Sequence, residues 1–247
     1  MPNLHWTIPV ARWSFWPVAA TAAPDLGFIE PMVRRRLSSL SRIALKVAHD
    51  CAAERSAVRV VFASRHGELR RTTEILRSIG AGEPVSPTSF SLSVLNAMTG
   101  VFGIARGDRS AASAVSAGAQ TLGYALLEAH AQYASDPSTP VLLIYADEPA
   151  DAAYGAIDDE VQGGALALLF DASSAQGRLS CTVTSLAAST VSGTAAANST
   201  KGSPACVAHP SFATQSEALL HCLHTHGATH WRRDTAQWEW QWHDGAA

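Results

Sequence analysis

The chain reads as an α/β protein, a layered sheet with helices on both faces, and three observations predict this. Short β-branched and apolar runs alternate along the chain with stretches of helical apolar spacing. Such alternation builds a sheet whose strands are joined by crossover helices. The run Pro140-Val-Leu-Leu-Ile-Tyr-Ala146 is apolar nearly throughout, as a strand buried on both faces requires. Finally, 247 residues with 47% hydrophobic and 16% charged content suffice for a single domain, 1–247, with a substantial core.

Each element has its own signal. Residues 1–28 are rich in Trp and Pro and read as extended. Pro31 to Ala53 reads as one helix, with Pro at its start and Leu37, Leu40, Ile43, Ala44 and Val47 at helical spacing. Val58 to Ala63 is a buried strand. Ser64 to Glu68 turns into a helix that ends near Gly80. Pro87 to Phe90 reads as a loop, Ser91 to Ala105 as a helix weakened by Gly100 and Gly103, and Arg106 to Asp108 as a turn. Ser110 to Val115 is a strand and Gly118 to Ala134 a helix. Gly163 to Phe170 is a further strand after Pro140–Ala146. Arg178 to Leu186 alternates, which suggests an edge strand. Ala187 to Pro204, full of Ser, Thr, Ala and Gly, reads as a flexible loop. Ser211 to Thr225 is a last helix. Trp231 to Trp242 reads as one strand, with Trp238, Trp240 and Trp242 on a single face.

Charge and cysteine content exclude several classes. A net charge of -3 gives no electrostatic case for nucleic acid. The four cysteines, Cys51, Cys181, Cys206 and Cys222, form no C-x-x-C pair, so neither a zinc ribbon nor a thioredoxin motif is supported. Sparse unpaired cysteines suit a reducing cytosol, and no signal peptide or membrane span is read. His221 and His224, with His226 and His230 nearby, could share a helix face. They lack Asp, Glu or Cys at ligand spacing, so no metal site is expected. Arg65, His66 and Glu68 follow a buried strand, where loops of α/β folds carry function; the other reading is a turn made by Gly67 with the charges solvated or paired. Asp147 and Glu148 also follow a strand, either as an acid/base pair or as solvated charges before Pro149.

Four segments in order and register carry a resemblance: Pro31 to Ser38, Phe62 to Glu68, Phe90 to Asn96 and Ser113 to Ala125. Together they resemble the β-ketoacyl synthase-like N-terminal domain, in particular the short chain-length-factor proteins of aryl polyene biosynthesis. The resemblance covers roughly residues 25–175. It implies a thiolase-like half, a truncated ketosynthase, followed by a C-terminal helix and Trp-rich strand over 211–242. In active members a cysteine stands at a helix N-terminus, where the helix field lowers its pKa. Counting back from Gly123 puts that position on Val115, with Ser116 beside it. The chain stops where the second half, which supplies two histidines and a lysine, would begin.

The resemblance therefore implies a non-catalytic chain-length factor. It would pair with a catalytic ketosynthase, shape that partner's acyl tunnel, and work in the cytoplasm on chains held by the phosphopantetheine of an acyl carrier protein, with no cofactor of its own. Leu95, Asn96, Met98, Thr99, Phe102, Ser113 and Val115 are the tunnel or interface candidates, with Ser110 to Val115 pairing across the interface. Ordinary core packing is the other reading of Leu95 to Phe102. Arg34, Arg35, Arg36, Arg70 and Arg71 are candidates for contact with an acidic carrier protein. Two alternatives stay open: a serine-dependent acyltransferase or hydrolase using Ser116 or Ser113 with His66 as base, and a homodimer that binds an acyl chain or carrier protein. Ser116 has a plainer reading as a helix N-cap.

Overall fold

The computed structural model describes residues 3–52, 54–158, 160–186, 210–233 and 236–245. Eight strands form one sheet in the order β3-β2-β4-β5-β1-β6-β8-β7. They are β1 (Leu4–Trp16), β2 (Arg59–Ala63), β3 (Ala112–Val115), β4 (Val141–Asp147), β5 (Gly164–Phe170), β6 (Gly177–Ser185), β7 (Ala228–Arg233) and β8 (Ala236–Asp244). The β3-β2-β4 block is parallel, and all other pairings are antiparallel. The helices are α1 (Pro31–Arg34), α2 (Ser39–Ala52), α3 (Leu69–Gly80), α4 (Pro87–Ser91), α5 (Ala97–Arg106), α6 (Thr121–Ser135) and α7 (Gln215–Thr225).

The sheet separates two cores. On one face Leu122, Leu126, Leu219 and Leu223 of α6 and α7 meet Ile8, Val61, Leu143, Leu168, Trp238 and Trp240. On the other, Leu40, Leu45, Met98 and Phe102 of α2 and α5 meet Phe62, Leu142, Ile144 and Leu169. The alternation of α and β segments thus yields helices on both faces, as expected.

Helix boundaries differ from expectation between residues 31 and 106. Pro31 to Ala53 is two helices rather than one. Glu30 caps α1 by accepting the Met32 and Val33 N–H groups, and the Ser38 hydroxyl accepts the Ser41 N–H at 3.0 Å to start α2. Arg42 closes the gap by donating to the carbonyls of Arg34 and Leu37. Residues 87–90 lie in α4, because the Ser86 hydroxyl caps the helix by accepting the Ser89 N–H and Pro87 stands at its first position. The helix expected from Ser91 starts at Ala97.

The expected edge strand β6 is interior, paired to both β1 and β8. Its alternation reports a bare sheet face, on which Ser180 and Thr182 stand beside His5 and Thr7. The stretch 231–242 belongs to two antiparallel strands, with Trp231 opposite Trp238. The expected loop 187–204, and Cys206, lie outside the described residues.

Candidate functional site

Parallel strands bring the ends of β2, β3 and β4 together, which is where α/β sheets place ligand sites. The end of β3 sits beside the loop after β2, held by the Ser64 N–H donating to the Val115 carbonyl at 3.2 Å. Val115 is half-buried and packs on the α6/α7-side core. It offers no nucleophile. Ser116 is exposed, and its hydroxyl donates to the Arg65 backbone carbonyl at 3.0 Å. That bond spends its proton on a backbone acceptor rather than on an imidazole, so the geometry does not assemble a serine relay.

Ser116 is not an N-cap either. The Thr121 hydroxyl accepts the Ala117 N–H at 2.9 Å and donates to the Gly118 carbonyl at 2.7 Å, taking the capping place. Ser113 accepts a hydrogen bond from the Gln132 amide of α6 at 3.1 Å.

The expected loop residues are committed to one another. His66 Nε2 lies 2.7 Å from Glu160 Oε1. Burial alone would raise the Glu160 pKa. Bonds from His66 and the Val161 N–H override this and hold it below the usual carboxylate range. Arg65 is half-buried and donates to the Asp158 carbonyl. Glu68 is buried and accepts from the hydroxyls of Ser38 at 2.7 Å and Ser41 at 2.6 Å, with Arg71 at 3.3 Å.

Asp147 is neither an acid/base partner of Glu148 nor a solvated charge. It is 0% exposed and accepts from the Ser64 hydroxyl (2.8 Å) and from the N–H groups of Arg65 (2.8 Å) and His66 (3.1 Å). Burial raises its pKa, and those hydrogen bonds offset the rise only in part. Its work is to clamp the β2–α3 loop.

Between Arg65 and Gly118 the space beside this end of the sheet is nearly filled. A gap of about 10 Å³ remains among Arg65, Gly118, Tyr145, Gln215 and Trp231. That is room for about one water and no more. Behind it, Gln215 accepts the Gly123 N–H at 2.8 Å, and Trp238 lies so close to Gly123 that a Cβ there would stand 2.7 Å from the ring. Position alone flagged Asp147 in the sequence. No signal pointed to Glu160, Gln215, Trp231 or Trp238 as neighbours of this end.

The remaining candidates disperse. Met98 (2% exposed) and Phe102 (1%) lie inside the chain's own α2/α5 core, and Thr99 donates to the Asn96 carbonyl. Leu95 is half-buried against Gly67, and Asn96 is exposed. Arg35, Arg36 and Arg70 are exposed, while Arg34 and Arg71 are half-buried, Arg71 donating to the Arg36 carbonyl. His221 contacts Phe212, His224 contacts Trp13 and Phe15, and His226 pairs with Asp244. Among the described residues no group of three or more His, Cys, Asp or Glu is placed to hold a metal. Among them, too, no helix is long and apolar enough to cross a membrane.

Comparison with known proteins agrees with this architecture. Among solved structures, the chain is similar to one described as a ketosynthase (ApeO) in complex with its chain length factor (ApeC) from Xenorhabdus doucetiae. That match has a TM-score of 0.73 and 25% identity, over 96% of this chain and 99% of that one. It is also similar in fold to the ishigamide ketosynthase/chain length factor (TM-score 0.51, 15% identity, 67% of this chain and 62% of that one). A β-ketoacyl synthase from Burkholderia phymatum matches with a TM-score of 0.52 and 12% identity, over 65% of this chain and 50% of that one. No curated protein sequence matches. The family described as beta-ketoacyl synthase, N-terminal domain, matches residues 10–241, and the chain belongs to that family.

Proposed function

We propose that this chain is a non-catalytic chain-length factor that forms a heterodimer with a catalytic ketosynthase and helps to wall its acyl tunnel. The observation that carries this is the strand-end site. By the resemblance Val115 stands at the nucleophile position, and it packs against the α6/α7-side core. An acyl-enzyme step needs a nucleophile, and a valine side chain offers none.

The surface supports a partner. β3 is an edge strand, bonded only to β2. Nearby elements leave much apolar surface in water. α3 is amphipathic, yet only Thr73 of it is buried, and Leu76 and Ile79 are exposed. Phe90, Val94 and Ile104 are exposed as well, Ile104 at 83%. A monomer that exposes so many large apolar side chains around an open sheet edge is suited to an obligate interface. Leu95 and Asn96, at the surface before α5, are then the residues best placed to meet the partner's tunnel.

In this reading the substrate is a growing chain of the aryl polyene type, carried on phosphopantetheine by an acyl carrier protein in the cytoplasm. The subunit needs no cofactor. The exposed Arg35, Arg36 and Arg70 are its contribution to docking an acidic carrier. The match to a structure described as a ketosynthase in complex with its chain length factor supports the pairing. Co-expression with a ketosynthase of the same family, followed by size-exclusion chromatography and mass determination, tests it. A stoichiometric heterodimer burying about 2,000 Å² or more is the expected result. A chain that stays monomeric or homodimeric beside that ketosynthase overturns the reading.

A further inference from the structure

A second cavity lies on the far side of Tyr145 from the strand-end gap. It is a cleft of about 210 Å³ where the end of β1, the start of β5 and α7 meet. Its walls are Phe15, Trp16, Val18, Leu166 and Leu220, and its floor is the backbone of Gly163 and Gly164. Both glycines have positive φ, near +90°; a Cβ on Gly164 would stand 2.9 Å from the Trp16 carbonyl oxygen, and one on Gly163 3.5 Å from that of Asp147.

Gln162 lines its edge with an exposed side chain, while the other polar groups there have partners. Glu217 accepts the Ala213 and Thr214 N–H groups in a capping box, and Ser216 bonds to Thr214. Tyr145 is buried, its hydroxyl set beside Asp147 and Ser216. Among the described residues no Lys, Arg or His lines the cleft. Its walls are mostly apolar, and an apolar cavity of about 150 Å³ accepts benzene.

We propose that this cleft binds a short neutral hydrocarbon group, somewhat larger than benzene, presented by a ligand that carries no free carboxylate. Size and apolar walls select the hydrocarbon. The Glu217 carboxylate, with no cation to balance a second negative charge, selects against an acid. The site is internal to this chain and separate from any tunnel in a partner.

Photolabelling the full chain, or its complex with a ketosynthase, with a neutral octyl diazirine tests the assignment. Adducts are expected within 15–18, 163–166 and 216–220, mapped by mass spectrometry. Excess methyl hexanoate removes them, and hexanoate at the same concentration does not. Val18→Trp, at a residue 63% exposed and so harmless to the core, closes the cleft and abolishes the adducts. Leu220→Trp is the second variant. Labelling absent from these segments, labelling unchanged in both variants, or equal competition by hexanoate overturns the proposal.

Discussion

Substituting Ala112 by proline separates the sheet edge proposed for assembly from the sheet that makes the fold. In β3 the Val60 N–H donates to the Ala111 carbonyl and the Ser64 N–H to the Val115 carbonyl, with Val60 opposite Ala112 and Phe62 opposite Ala114. In a parallel ladder the N–H and C=O of one residue point to the same side, and successive residues alternate. Ala111, Ser113 and Val115 therefore face β2, while Ala112 and Ala114 turn their N–H groups to the open edge. Ala112→Pro removes one outward donor and leaves the β2 ladder whole. If a ketosynthase strand pairs there, a carbonyl of that strand loses its partner inside the interface. Such a loss costs about 1–3 kcal/mol, which weakens association roughly five- to 150-fold. The assay is a titration of labelled chain with the ketosynthase subunit, together with a thermal melt of the chain alone. The expected pattern is a raised Kd with little change in Tm. Ser113→Pro should do the reverse, lowering Tm by breaking the β2 ladder. An unchanged Kd for Ala112→Pro would refute edge pairing.

Three further outcomes follow from the same geometry. Gly123→Ala drives a Cβ to 2.7 Å from the Trp238 ring. Overpacking of this kind costs about 1–3 kcal/mol, seen in a denaturant melt; a neutral effect would mean that Trp238 is free to move. Burial holds the Asp147 pKa above 3.8 in the fold despite its hydrogen bonds. Its contribution is therefore fullest below 3.8 and declines as pH rises through the folded value. The stability difference between wild type and Asp147→Asn should accordingly shrink with rising pH across that window; a growing difference contradicts the assignment. Val115→Cys should accept iodoacetamide yet show no malonyl decarboxylation by itself. α6 begins only at Thr121, and His66 is held by Glu160. Measurable turnover by that variant would show that the catalytic apparatus is intact.

The sequence was sufficient for whatever depends on local pattern. The apolar run at 141–146 could only be a buried strand, and the apolar spacing in α2 and α6 could only face a core. The valine at position 115 was legible because a family motif fixes a position by counting along the chain. Contacts made across the fold were not legible. Glu160 reaches His66, and Gln215 and Trp238 reach Gly123, from segments 92 to 115 residues away that no local period connects. The edge assigned to β6 failed for a related reason. Alternation records which faces of a strand are wet, whereas edges are set by which strands lie alongside, and β8 arrives there from the far end of the chain. Met98 and Phe102 pointed equally well to a tunnel or a core until packing against α2 put them inside. Sequence thus determined most of the elements. Only the tertiary structure decided that Met98 and Phe102 lie in the core and that β3 stands at the sheet edge among the described residues, because both depend on long-range packing that one-dimensional spacing does not encode.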